Sequence, residues 1–186
     1  MKISKDVFVA PTDTIYGLLT SAFNKDGIDR IYKIKGRDKN KRLIILISKI
    51  DDLKKFDIKL TNEQKKFLKI NWPNSLSVEL ENKNKKFEYL HLGFGQNSFR
   101  MPKNKIILDL LKKYGPLVAP SANKQGEKTV ETIKEAKKVF RDSVDFYISN
   151  KKRLVGTSST LIHLNKDGSF EILRQGKYKI KNNLQK

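Results

Sequence analysis

Apolar and polar positions recur along this chain at two periods, and the switches between them lay out strands and helices in turn. Residues 7–10 form a short apolar run that ends in Pro11-Thr12-Asp13-Thr14, the pattern of a buried strand that delivers polar groups to its carboxyl edge. Ile28, Ile31, Tyr32 and Ile34 follow at helical spacing and stop at Gly36, a residue type that commonly terminates helices. Residues 43–47 are continuously apolar, as a strand covered on both faces must be. Two helices are predicted over 51–56 and 61–70, closed by Trp72-Pro73, with Trp72 as a core anchor.

Residues 75–81 and 87–92 both alternate, and the tip Asn82-Lys83-Asn84-Lys85-Lys86 between them predicts a β-hairpin. Residues 98–101 read as a strand carrying Arg100, and 106–111 as a helix stopped at Tyr114-Gly115-Pro116. Residues 117–119 are then a buried strand feeding Pro120-Ser121-Ala122-Asn123. Thr132, Ile133, Ala136, Val139 and Phe140 outline a further helix, and strands are expected at 145–149, 161–164 and 170–173. No internal repeat or linker interrupts the pattern, so the expectation is one domain over 1–176 and a basic, mobile tail over 177–186.

Three strand boundaries thus carry small polar groups: Thr12-Asp13-Thr14, Ser121 with Asn123, and Thr157-Ser158-Ser159-Thr160. In open α/β sheets ligands settle at such edges, although Thr and Asp also satisfy backbone N–H groups in ordinary turns and caps. Lys35-Gly36-Arg37 adds two cations two positions apart. On an extended segment they share a face and can meet one anion.

Charge extends this picture. With 40 Lys+Arg against 20 Asp+Glu the formal charge is +20, a balance that attracts RNA, DNA or nucleotides. The lysines are scattered, however, and the chain is also rich in Asn and Ile, as a biased genome would make it. The absence of cysteine excludes disulfides, thiol nucleophiles and Cys-ligated zinc or iron–sulfur centres. There is no Walker A motif, Gly93-Phe94-Gly95 lacks the rest of a dinucleotide fingerprint, and no Gly-x-Ser-x-Gly elbow occurs. His91 and His163 lie in segments read as apolar strands and are expected to be structural, with no metal site. No run approaches the ~20 apolar residues of a membrane span, and the amino terminus lacks a signal-peptide core. A cytoplasmic protein is expected.

Taken in order, these segments resemble the threonylcarbamoyl-adenylate synthase family, whose members have a YrdC-like fold. The landmarks are Pro11-Thr12-Asp13-Thr14-Ile15-Tyr16-Gly17-Leu18, Lys35-Gly36-Arg37, Leu43-Ile44-Ile45-Leu46, Trp72-Pro73, Arg100 with Pro102, Pro120-Ser121-Ala122-Asn123, Ser159-Thr160 and Arg174-Gln175-Gly176. The resemblance implies an α/β fold, a twisted mixed sheet with flanking helices and a concave basic face. It implies synthesis of threonylcarbamoyl-AMP from L-threonine, bicarbonate and ATP with magnesium, releasing pyrophosphate. The product would serve a partner threonylcarbamoyl transferase complex that modifies tRNA, and tRNA itself would be bound weakly by charge. This chain looks like the family's short form.

Carried over by motif, Lys35 and Arg37 would be catalytic, and with Ser121, Asn123 and Arg174 they would bind ATP. Thr14, Arg100 and Ser159 would bind threonine. Cations are what the reaction needs, because a carbamate and a phosphate repel until neutralised, and positioning with charge can carry most of the rate. Departures from the family pattern bear on the amino-acid pocket more than on the nucleotide pocket. Lys41-Arg42-Leu43 replaces Lys-Pro-Leu, Leu46 replaces a histidine of long members that touches threonine, Asn74-Ser75 replaces Gly-Pro, Lys124-Gln125-Gly126 replaces Leu-Ser-Gly, and His163 stands where aspartate is frequent. The competing expectation is a non-catalytic double-stranded RNA-binding or ribosome-associated protein of the same fold.

Overall fold

A computed structural model describes residues 5–149 and 153–181. Nine strands, β1 (Phe8–Pro11), β2 (Tyr16–Ser21), β3 (Ile44–Leu46), β4 (Leu76–Glu81), β5 (Gln96–Arg100), β6 (Leu117–Val118), β7 (Phe146–Tyr147), β8 (Thr160–Leu164) and β9 (Phe170–Arg174), form one sheet. Their order is β7-β1-β2-β6-β3-β5-β4-β8-β9. Pairing is mixed, parallel at β1/β7, β3/β5 and β4/β8 and antiparallel elsewhere. Among the described residues five α-helices flank it: α1 (Lys25–Lys35), α2 (Asn62–Asn71), α3 (Glu88–His91), α4 (Lys105–Tyr114) and α5 (Ile133–Phe140). No described helix is long and apolar enough to cross a membrane.

The continuous apolar strands are sorted by the two-residue period of the pleat. Val9, Leu18, Ile45 and Val118 face one core with Ile28 and Ile31 of α1 and Phe67 and Leu68 of α2. Their neighbours Phe8, Leu19, Leu46 and Leu117 face the other, with Ile107 and Leu111 of α4. Register then decides what lies beyond α4, because directly paired residues share a face. Leu117 pairs Leu46, Leu46 pairs Arg100, Arg100 pairs Ser77, Ser77 pairs Leu161, and Leu161 pairs Arg174. A row that is apolar under α4 turns charged past β3. Two residues along each strand, and so on the same face, Ile44, Ser98, Glu79 and His163 form a parallel row.

Local signals explain most element ends. Asn24 caps α1 by accepting from the Gly27 N–H at 3.1 Å, and Gly36 ends it in the left-handed conformation at φ 58°. Thr61 and Gln64 cap α2 reciprocally. Residues 50–56 form a 3-10 helix. Trp72 is buried, as expected of an anchor, and donates its Nε1–H to Leu76 O at 2.8 Å.

Three expectations need correction. Residues 87–92 are no hairpin strand: 85–87 is a 3-10 turn and 88–91 is α3, and the antiparallel partner of β4 is β5. The buried positions are Phe87, Leu90 and His91, which one helical turn gathers, so His91 lies in a helix rather than a strand. Lys35-Gly36-Arg37 is not extended, since Lys35 is helical and Gly36 left-handed. Residues 177–181, placed in a mobile tail, are tied down: the Tyr178 hydroxyl and the Lys181 N–H donate to Asn71 Oδ1 at 3.1 and 3.0 Å, and Asn71 Nδ2 returns a bond to Lys181 O. Residues 182–186 of that tail lie outside the described residues.

Candidate active site

A cavity of about 340 Å³ opens over the half of the sheet that α4 leaves bare. Its walls come from the Thr12–Tyr16 turn, the segment after α1, the end of β6, and the strand boundary before β8. Six expected site residues line it: Thr14, Arg37, Arg100, Ser121, Ser159 and Arg174. Lys35 and Asn123 stand behind the wall and are absent from its lining.

The Thr12-Asp13-Thr14 turn is built by its own side chains. Thr12 Oγ1 donates to Ile15 O at 2.7 Å and accepts from the Thr14 N–H at 3.2 Å. Asn104, which caps α4, also donates to Thr12 O at 3.0 Å. This fixes Asp13, whose Oδ1 lies 3.2 Å from Arg100 Nη2, with both side chains almost wholly buried. Arg100 Nη1 reaches Thr14 Oγ1 at 3.5 Å, and its Nε is buried with no acceptor. Burial makes the Arg100 guanidinium easier to deprotonate than usual, with Asp13 opposing that shift. A buried donor left unpaired is costly, and the Arg100 side chain lines the cavity as a cation with only Asp13 as counter-charge.

Arg174 closes the same end. Its Nε and Nη2 donate to Ser159 O at 3.2 and 2.9 Å, and Ser159 Oγ contacts Ser77 Oγ at 2.8 Å. Partial burial, then the charge of Arg100, lowers the pKa of Arg174. Two guanidiniums that raise each other's energy are a standing attraction for a carboxylate or phosphate. The Arg174-Gln175-Gly176 motif has a steric logic as well. A Cβ on Gly176 would stand 2.3 Å from Ser158 O and 2.4 Å from Thr160 N.

At the other end the paired motifs divide their labour. Lys35 Nζ donates to Ser121 O at 2.5 Å, Asn123 O at 2.8 Å and Asn123 Oδ1 at 3.1 Å. Ser121 Oγ donates to the same Asn123 Oδ1 at 2.6 Å. Lys35 thereby fixes the segment whose front presents Ser121 to the cavity. Burial, then the charges of Arg37 and Lys124, push the Lys35 ammonium down to about 7. Arg37 is half-buried on the cavity side, donating from Nε to Lys41 O and from Nη2 to Arg42 O, both at 3.1 Å. Lys35 and Arg37 therefore do not aim at one point.

Sequence reasoning missed four groups here. Lys41 and Arg42 line the cavity, as do Ser98 and Glu79. Arg42 Nη2 lies 2.8 Å from Glu79 Oε1, which also accepts from Ser98 Oγ at 3.1 Å. The signal was the alternation of residues 75–81: it puts Ser77 and Glu79 together on the face opposite Val78, and a glutamate there has to find a partner. Leu46, by contrast, is wholly buried under α4.

Known proteins share this arrangement of chain. The threonylcarbamoyl-AMP synthase of Pyrococcus abyssi is 28% identical over 155 residues, 83% of this chain and 46% of its own length. That of Pseudoalteromonas translucida is 27% identical over 146 residues, 77% of this chain and 78% of the relative. The crystal structure of P. abyssi Sua5 complexed with L-threonine superposes with a TM-score of 0.84 at 27% identity, over 94% of this chain and 52% of that one. The chain thus spans about half the length of the P. abyssi protein. The sequence model of the Sua5/YciO/YrdC family, described as "Telomere recombination", matches residues 4–176, and the chain belongs to that family.

Proposed function

We propose that this chain joins L-threonine, bicarbonate and ATP into threonylcarbamoyl-AMP. The amino acid condenses with bicarbonate to a carbamate, with loss of water. A carbamate oxygen then attacks the α-phosphorus of ATP, and the bond to pyrophosphate breaks. The observation that supports this reading best is the cavity's charge. Arg37, Lys41, Arg42, Arg100 and Arg174 line it against one carboxylate, Glu79. Two mutually repelling anions can be brought together only under such neutralisation.

Arg100, which lines the cavity, takes the threonine carboxylate, flanked by Thr14 and Ser159. Arg37, Ser121 and Arg174 take the nucleotide phosphates, and Lys35 with Asn123 holds Ser121 in place. Among the described residues no three His, Cys, Asp or Glu side chains gather as a metal cage. Magnesium would come in on the triphosphate, as it often does in phosphoryl-transfer sites. The threonylcarbamoyl group would pass to a transferase complex in the cytoplasm for tRNA modification, and the +20 charge would hold tRNA weakly and without sequence choice.

That same charge favours the competing reading, a non-catalytic double-stranded RNA-binding protein. One assay separates them. The purified protein with ATP and magnesium is expected to release pyrophosphate only when L-threonine and bicarbonate are both present. Release that ignores the amino acid, or no release while RNA binds tightly, would refute the synthase reading.

A further inference from the structure

Glu79 has no part in the reaction as described, yet it stands in the floor of the cavity. It is 3% exposed and is the single carboxylate among the lining residues. Oε1 is taken by Arg42 Nη2 at 2.8 Å and the Ser98 hydroxyl at 3.1 Å. Arg42 is held in turn, with Nη1 donating to O and Oε1 of Gln96, both at 3.3 Å, and its guanidinium 5.0 Å from the Phe94 ring. Oε2 accepts no hydrogen bond among the described residues. Nor is it sealed away, since the buried polar atoms without a partner are Asp13 Oδ1 and Arg100 Nε. A carboxylate fixed on one side therefore offers its second oxygen to whatever fills the cavity.

Phosphate oxygens are repelled by that oxygen, which sends the triphosphate toward Arg37 and Ser121. A hydroxyl or amine gains a charge-assisted bond there. Glu79 pairs with Ser98, and Ser98 lies two residues from Arg100 on β5, so the two groups share a face about 7 Å apart along the strand. That is the reach of one amino acid with its carboxylate on Arg100. Its α-nitrogen takes the carbon of bicarbonate and must face the phosphates. The side-chain hydroxyl is the donor left over.

We propose that Glu79 Oε2 accepts the side-chain hydroxyl of the amino-acid substrate and so selects a β-hydroxy amino acid over its apolar isostere. This rests on the amino-acid pocket proposed above. Arg42 and Ser98 are positioning residues that fix the carboxylate. A site built to hydrogen-bond a hydroxyl discriminates strongly against the analogue that lacks it, because its own polar group is then left unpaired.

The test is calorimetric binding of L-threonine, L-valine and ATP, each alone, to the wild type and to Glu79→Val. Valine replaces the hydroxyl by a methyl group at nearly constant shape. The wild type should bind threonine about tenfold or more tighter than valine, and Glu79→Val should bring the two within about twofold while ATP affinity stays within about twofold. Because Glu79→Val strands the charge of Arg42, the pair Glu79→Val with Arg42→Leu is measured beside it and should lose the same discrimination. Threonine preference that survives both variants overturns the proposal and leaves the synthase reading standing. So does a tenfold loss of ATP affinity in Glu79→Val with the preference intact, which would put the nucleotide at Glu79. A wild type without preference for threonine also overturns it. Binding of neither amino acid overturns the proposal and the amino-acid pocket together.

Discussion

Lys35→Met asks whether the first cationic motif braces the cavity wall or reaches into the cavity. Nζ is buried, the residue being 2% exposed, and its three protons are matched by three acceptors on Ser121 and Asn123. Methionine keeps the linear shape and removes the ammonium. Ser121 O retains the Asn123 N–H at 3.1 Å and Asn123 Oδ1 retains the Ser121 hydroxyl, so Asn123 O is the one acceptor stranded, at a cost of about 1–3 kcal/mol. Against that cost stands the release of a buried charge. The ammonium titrates near 7 in the folded chain and at 10.5 in its ordinary state. Between those values the unfolded chain binds a proton that the folded chain does not, so wild-type stability rises with pH, by about 1.4 kcal/mol per unit well above 7. Half-protonated at pH 7, Lys35 contributes a gain of about 2 kcal/mol by pH 9, and Lys35→Met has no such gain. Urea unfolding followed by far-UV circular dichroism at pH 7, 8 and 9 measures the difference between the two proteins. Parallel stability curves would show that the ammonium is not held dry behind the wall, and the bracing role would fall.

Two further substitutions probe the opposite end. Arg100→Met leaves the Asp13 carboxylate buried with only the Ser75 hydroxyl, 3.3 Å from Oδ2; the expected loss is about 3–5 kcal/mol, largely recovered in the double variant with Asp13→Leu, while threonine binding measured by calorimetry stays absent in both. Gly176→Ala drives a Cβ into Ser158 O and Thr160 N, so it should cost about 1–3 kcal/mol in unfolding experiments and weaken ATP by displacing Arg174, and wild-type stability in that variant would refute the close approach.

The elements that could be read from sequence are those in which periodicity and end signals agree. In α1 an apolar stripe runs from a capping Asn24 to a left-handed Gly36, and in β3 a run covered on both faces has no other use. Where the signals are short they mislead. Phe87-Glu88-Tyr89 and then Leu90-His91-Leu92 each alternate apolar with polar as a strand would, but four residues of α3 bury Leu90 and His91 on one turn just as well, and so short a stretch does not separate period 2 from period 3.6. β2 escaped notice for the opposite reason. All six of its residues are buried, Thr20 and Ser21 included, so it has neither alternation nor a purely apolar run.

The site was legible as a set of motifs but not as a geometry. Lys35 with Arg37 and Ser121 with Asn123 look like two equivalent pairs, each two residues apart. In the fold each pair is split, one member facing the cavity and one holding it from behind. No spacing rule contains that, because it depends on where α1 ends relative to the strand that pairs beside it. The location of the cavity follows from register instead. Leu117 and Leu46 carry a row that α4 covers, and the same row continues as Arg100 and Ser77. An apolar helix laid over that continuation would set hydrocarbon against a guanidinium that is already buried and short of a partner. The sheet is therefore left open where its residues turn charged, and along β5 that open face carries Arg100 and, two residues or about 7 Å away, Ser98 with the Glu79 carboxylate that it holds.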